Sequence, residues 1–162
     1  SAWAAVIHGH LGGLPPKVDL AGEKRLARLI GAARDEWLIS SAHDLSEGGL
    51  GQALAEGVMR FGVGARVWLT ELMERDGVDA ATALFSESAG RVIVTVPRED
   101  DVKFQGLCEG RGHPVLRIGV TDSAPQLEVQ DVFTISVDEL RATAQATLPA
   151  AFGPTVTEPV GA

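Results

Sequence analysis

The run Val92-Ile93-Val94-Thr95-Val96 constrains this chain more than any other stretch, because every residue in it is β-branched. Branched side chains lose freedom in a helix and fit a pleated, half-buried surface. Pro97 closes the run, having no N–H with which to continue a ladder. The chain is therefore committed to a strand at 92–96. A second pattern has the other period. From Glu23, apolar residues recur at Leu26, Leu29, Ile30, Ala33 and Trp37, the spacing of one helix face. Asp19 stands where its carboxylate can cap that helix.

The rest of the chain alternates in the same way. Residues 38–42 read as a short buried strand, 43–49 as a polar loop, and 49–61 as a helix with Leu50, Ala53, Leu54, Val58 and Phe61 on its apolar face. Gly62 and Gly64 end that helix. A strand is predicted at 65–69, partial helix over 71–90, a helix at 99–110 and a strand at 115–120. A hairpin over 127–135 turns near Asp131, and a last helix from Asp138 presents Leu140, Ala144 and Leu148. Residues 1–20, broken by Gly12-Gly13 and Pro15-Pro16, read as an irregular lead-in, and 149–162, with three prolines, as a mobile tail. The body, 21–148, is expected to be a layered α+β domain.

At 162 residues and 45% hydrophobic composition, such a domain can bury a core. A net charge of −8 argues against a nucleic-acid face or an anionic membrane surface. The single cysteine, Cys108, forbids an internal disulfide and makes a thiolate zinc site very unfavourable. A reducing, cytoplasmic compartment is the expectation. No apolar run approaches the roughly 18 residues of a membrane span.

Chemistry concentrates in the loop His43-Asp44-Leu45-Ser46-Glu47-Gly48-Gly49, between a predicted strand and a predicted helix. The first helical turn exposes unpaired N–H groups and positive dipole charge. Gly48 and Gly49 lack a Cβ, so backbone can approach an anion such as phosphate. Asp44 offers hard oxygen ligands for magnesium and Ser46 a hydroxyl. The same residues also suit a plain N-cap and a tight turn. A second polar block, Phe85-Ser86-Glu87-Ser88-Ala89-Gly90-Arg91, precedes the β-branched run. There Arg91 could hold phosphate with its donor fork and Glu87 could ligate metal, or the two could form a surface ion pair of little consequence. His8-x-His10 lacks a third ligand nearby, His43 lacks an evident nucleophile partner, and the acid beside Cys108 disfavours a reactive thiolate.

Read together, Ser41-Ala42-His43-Asp44-Leu45-Ser46-Glu47-Gly48-Gly49-Leu50 with Leu54-Ala55-Glu56, and Leu84-Phe85-Ser86-Glu87-Ser88-Ala89-Gly90-Arg91-Val92 downstream, resemble the phosphoribosylformylglycinamidine synthase family. The lead-in Gly12-Gly13 with Pro15-Pro16-Lys17-Val18-Asp19-Leu20 resembles it too. The likeness spans roughly 5–148 and implies an α/β/α PurM C-terminal-like domain with a mixed sheet. It implies a role in ATP-dependent conversion of formylglycinamide ribonucleotide to the amidine, with ammonia derived from glutamine. By motif, Asp44 and Glu87 would be magnesium ligands. Ser46, Gly48, Gly49, Ser88 and Arg91 would contact the phosphates of ATP or ADP. No catalytic residue is expected here, since the family's catalytic groups lie in N-terminal domains outside this chain. Implied partners are those domains, a PurQ-like glutamine amidotransferase and a small PurS-like subunit. The alternatives are a related PurM-like synthetase or kinase domain, or a purely structural one.

Overall fold

In a computed structural model, residues 1–153 are described. The chain runs α1 (Ala2–His8), α2 (Leu20–Asp35), β1 (Ser41–Asp44), α3 (Gly49–Phe61), β2 (Gly64–Val67), α4 (Thr70–Asp76), α5 (Ala80–Phe85) and β3 (Val92–Thr95). After a 3-10 turn at Arg98–Asp100 come α6 (Asp101–Gly110), β4 (Gly119–Asp122), β5 (Gln126–Val129), β6 (Phe133–Ser136) and α7 (Val137–Phe152). The class is α+β, as the sequence implies. One sheet is mixed and four-stranded, in the order β4-β2-β5-β6, with β2 parallel to β5 and antiparallel to β4. The other is an antiparallel ribbon of β1 and β3.

The ribbon explains the β-branched run. Side chains alternate across a strand. Ile93 packs into the main core with Leu50, Leu54, Leu84 and Leu127, whereas Val94 and Val96 pack on the second cluster of Leu29, Ala33, Leu38, Phe104 and Cys108 between α2 and α6. Apolar packing on both faces leaves Thr95 as the one polar position in the alternation, its hydroxyl paired with Ser41 Oγ at 2.9 Å. Asp19 caps α2 through Ala21 N–H, and Gly62, at φ 65°, closes α3 as its left-handed C-cap.

Four boundaries differ from the sequence reading, each for a local reason. Residues 2–8 are helical rather than irregular, because Ser1 caps Ala4 N–H and Gly9 ends the turn in the left-handed region. The breakers at 12–16 act only downstream of that helix. Strand β1 begins at Ser41, not Leu38: Leu38 is drawn into the α2–α6 cluster, and pairing with β3 puts Ser41 opposite Thr95 and Asp44 opposite Val92. His43 and Asp44 are thus strand residues, not loop residues. Strand β4 starts at Gly119, where a Cβ would meet Arg66 O at 2.5 Å, so glycine is what admits the close pairing. Helix α7 continues through Pro149 to Phe152, since alanines at 142, 144, 146, 150 and 151 favour helix around the one missing N–H. The remainder of the expected tail, 154–162, lies outside the described residues.

Candidate functional site

Two sequence blocks meet at the N-terminus of α3. Gly48 and Gly49 have φ values of 74° and 61°, a pair of left-handed residues that turns the chain from β1 into the helix. At Gly49 a Cβ would lie 2.5 Å from Ser86 O and 2.8 Å from Leu84 O. At Gly51 it would lie 2.8 Å from the Phe85 ring. Absence of side chains is what lets the Asp44–Gly49 segment lie directly on residues 84–86. The contact continues outward as Trp3 of α1 stacks on Phe85, with ring centroids 5.8 Å apart.

Glu87 ties this junction. Its Oε1 accepts from Gly48 N–H at 3.0 Å and from Ala2 N–H at 2.7 Å. Those two donors, Ala2 first, hold its carboxyl below the usual carboxylate range. Arg91 turns inward: its guanidinium donates to Ser86 O and Ser86 Oγ, and through Nε to Ser88 O at 3.4 Å. Burial lowers its pKa from the ordinary arginine value. The Arg91 fork thus organises the 86–88 loop, and Ser88 meets it by its carbonyl while its side chain faces solvent.

On the other side, a concavity of about 330 Å³ is lined by Asp44, Ser46, Glu47, Gly48, Gln52 and Glu56 among others. Asp44 and Ser46 are exposed in it, the Asp44 side chain at 77%. Ser46 O accepts from Gly49 N–H at 3.1 Å, and Gly48 O accepts from Gln52 N–H. Among the described residues, the N–H groups of Leu50 and Gly51 donate to no residue ahead of the helix. A left-handed glycine turn beside an exposed carboxylate suits phosphate accompanied by a hard divalent cation. Asp44 fits the cation. Glu87, its Oε1 engaged by Ala2 and Gly48, lines a separate concavity with Ala2, His10 and Glu47 and is not brought to Asp44. Among the described residues no group of three or more His, Cys, Asp or Glu side chains is placed to hold a metal ion, so a cation here would rely on phosphate and water for most of its ligands.

His43 joins the end of β1 to α3, a link to Glu56 that its sequence position did not reveal. Its Nδ1 lies 2.6 Å from Asp44 O and its Nε2 2.9 Å from Glu56 Oε2. The Asp44 carbonyl chiefly, and Glu56 after it, raise the His43 pKa. Gln52 donates to Glu56 Oε1 at 2.8 Å and is the main cause of that carboxyl's lowered pKa. The signal was present in the i, i+4 spacing of Gln52 and Glu56, but strand assignment of His43 was needed to see which face it shares.

With this geometry in hand, the chain belongs to the family of AIR synthase related protein C-terminal domains, whose description matches residues 1–132. Within that family it is similar to phosphoribosylformylglycinamidine synthase subunit PurL. It is 66% identical over 160 residues to PurL of Leifsonia xyli, covering 96% of this chain and 21% of that protein. The chain thus spans about a fifth of the length of such relatives. The fold superposes on the PurLQS structure from Thermotoga maritima with a TM-score of 0.65 at 26% identity, covering 76% of this chain and 22% of the other. On T. maritima PurL complexed with FGAR the TM-score is 0.64 at 25% identity, covering 76% and 21%.

Proposed function

We propose that this chain is the C-terminal domain of a cytoplasmic PurL-type synthase that converts formylglycinamide ribonucleotide, ATP and glutamine-derived ammonia to formylglycinamidine ribonucleotide. Within it, the domain contributes half of an auxiliary magnesium–nucleotide site. The observation that carries the reading is the left-handed Gly48-Gly49 turn opening α3 beside the exposed Asp44 carboxylate. Asp44 would hold magnesium, and Glu87, expected from the motif as a second ligand, would support the turn from its opposite side through Gly48 N–H. Ser46 would meet the phosphates of ATP or ADP, with Gly48 and Gly49 shaping the turn that lets them approach, their own N–H groups being engaged by Glu87 and Ser46 O. Ser88 and Arg91 would act one layer out, by fixing the loop that carries Glu87. Bound magnesium would neutralise phosphate charge. The chain's own part is orientation: a rigid turn, fixed donors and a carboxylate held at the rim.

The preceding domains of the same polypeptide would complete the site, and PurQ-like and PurS-like subunits would supply ammonia. Alone, this domain would form no amidine. A second reading, a purely structural half, draws support from Glu87, which already satisfies Gly48 N–H as a cap would. The two separate on Asp44→Asn in the full-length protein, read as magnesium-dependent ADP affinity by calorimetry. Losing a carboxylate contact to the cation should weaken that affinity by about tenfold or more, ~1.4 kcal/mol being tenfold in an equilibrium constant. A structural cap would tolerate asparagine, so unchanged affinity would favour the structural reading.

A further inference from the structure

We propose that Glu56, acting through His43, is a positioning residue for Asp44; the inference rests on the magnesium reading of Asp44 given above. Asp44 O can only accept, and so can the Glu56 carboxylate. His43 Nδ1 therefore donates to Asp44 O at 2.6 Å, while its Nε2 stands 2.9 Å from Glu56 Oε2 and joins the two elements. The Glu56 carboxylate is itself fixed at its other oxygen by Gln52 Nε2 at 2.8 Å. The result is a continuous chain, Gln52 to Glu56 to His43 to the Asp44 peptide, running from the first turns of α3 to the last residue of β1.

Its effect on Asp44 is twofold. The hydrogen bond to its carbonyl holds, from the other side, the same peptide unit whose Leu45 N–H donates to Arg91 O at 3.2 Å, so the plane at the exit of β1 is fixed at both ends. The same ring nitrogen stands 3.8 Å from Asp44 Oδ1, which biases an otherwise exposed side chain toward the concavity. Glu87 secures the α3 N-terminus from the opposite side, through Gly48 N–H. Neither Gln52 nor Glu56 needs to touch nucleotide for this. Outer partners of this kind change metal affinity by about 10–100-fold in general.

The test uses full-length synthase and titrates ADP by calorimetry with and without magnesium, for wild type, Asp44→Asn, Glu56→Ala and Glu56→Gln. Glutamine keeps an acceptor for His43 Nε2, and the Gln52 amide can turn to serve it. Glu56→Ala should lose about tenfold or more of the magnesium-dependent gain in ADP affinity while leaving magnesium-free binding and melting temperature near wild type, and Glu56→Gln should restore most of the gain. A merely structural Glu56 would move the melting temperature and both affinities together, which overturns the proposal. So does a wild-type magnesium gain in Glu56→Ala where Asp44→Asn has lost it, with the magnesium role of Asp44 left intact. If Asp44→Asn itself keeps the gain, the underlying reading fails, and the positioning role with it.

Discussion

Gly49→Ala should be far more damaging than a glycine substitution that meets only backbone strain. Gly49 sits at φ 61°, where an added Cβ would lie 2.5 Å from Ser86 O, 2.8 Å from Leu84 O and 3.2 Å from the Phe85 carbonyl carbon. Every one of these is backbone at the end of α5, so none can rotate away. The left-handed conformation costs alanine about 1–2 kcal/mol, and forcing the two segments apart adds about 1–3 kcal/mol, as for overpacking. Gly77 is the internal control: its φ is 64°, yet a Cβ there meets nothing within 4 Å. Gly77→Ala should show the backbone cost alone. At about 2–4 °C per kcal/mol for a domain of this size, Gly49→Ala should melt roughly 4–20 °C below wild type by calorimetry, and Gly77→Ala roughly 2–8 °C below. Equal losses for the two variants would refute the claim that glycine at 49 exists to let the two loops touch.

Three further outcomes follow from the same contacts. Glu87→Ala removes the acceptor shared by Gly48 and Ala2; hydrogen exchange at those two amides should speed up while exchange across β2 and β5 stays slow, and unchanged protection would contradict the tie. His43→Gln should destabilise most in mildly acid solution. The raised His43 pKa makes its contribution full below about 6.5 and lost as pH rises through the folded value, while the lowered Glu56 pKa makes that group's contribution full above about 4.5 and lost as pH falls through its folded value. With both side chains part-exposed, the effect should be below about 1 kcal/mol, seen as a urea midpoint difference that narrows from pH 5.5 to pH 8.5; a difference constant across that range would contradict it. Cys108 is buried, and burial foremost raises its thiol pKa; thiol reagents should label it only on unfolding, so rapid labelling of the native protein would be the contrary result.

Much of this was legible because local signals agreed with tertiary demands. Helix α3 is found where its apolar spacing and Gly62 put it, and the β-branched run is a half-buried strand with each face packed on an apolar cluster. The hairpin turns where expected, with Asp131 in the left-handed region at φ 61°. What the sequence hid were choices made by distant partners. Leu38 left the ladder for a helix cluster, which moved β1 by three residues and turned His43 toward Glu56. Arg91, for which the sequence offered phosphate binding or an ion pair with Glu87, donates to Ser86 and Ser88 O, contacts its spacing did not announce. Trp37 ends α2 at φ 59°, a left-handed position usually given to glycine, with Leu38 N–H and Trp37 N–H closing on Ala33 O and Arg34 O. Nothing in its spacing distinguished that from another core residue.

The central claim is that this domain carries part of a magnesium–nucleotide site in the turn from Asp44 to Gly49. Its most direct test is calorimetric titration of full-length synthase with magnesium-ADP, comparing wild type with Asp44→Asn. The account predicts a binding event that weakens by about tenfold or more in the variant, with the difference vanishing when magnesium is chelated. Equal affinity in the two proteins, with and without magnesium, would contradict it and leave the turn as a helix cap.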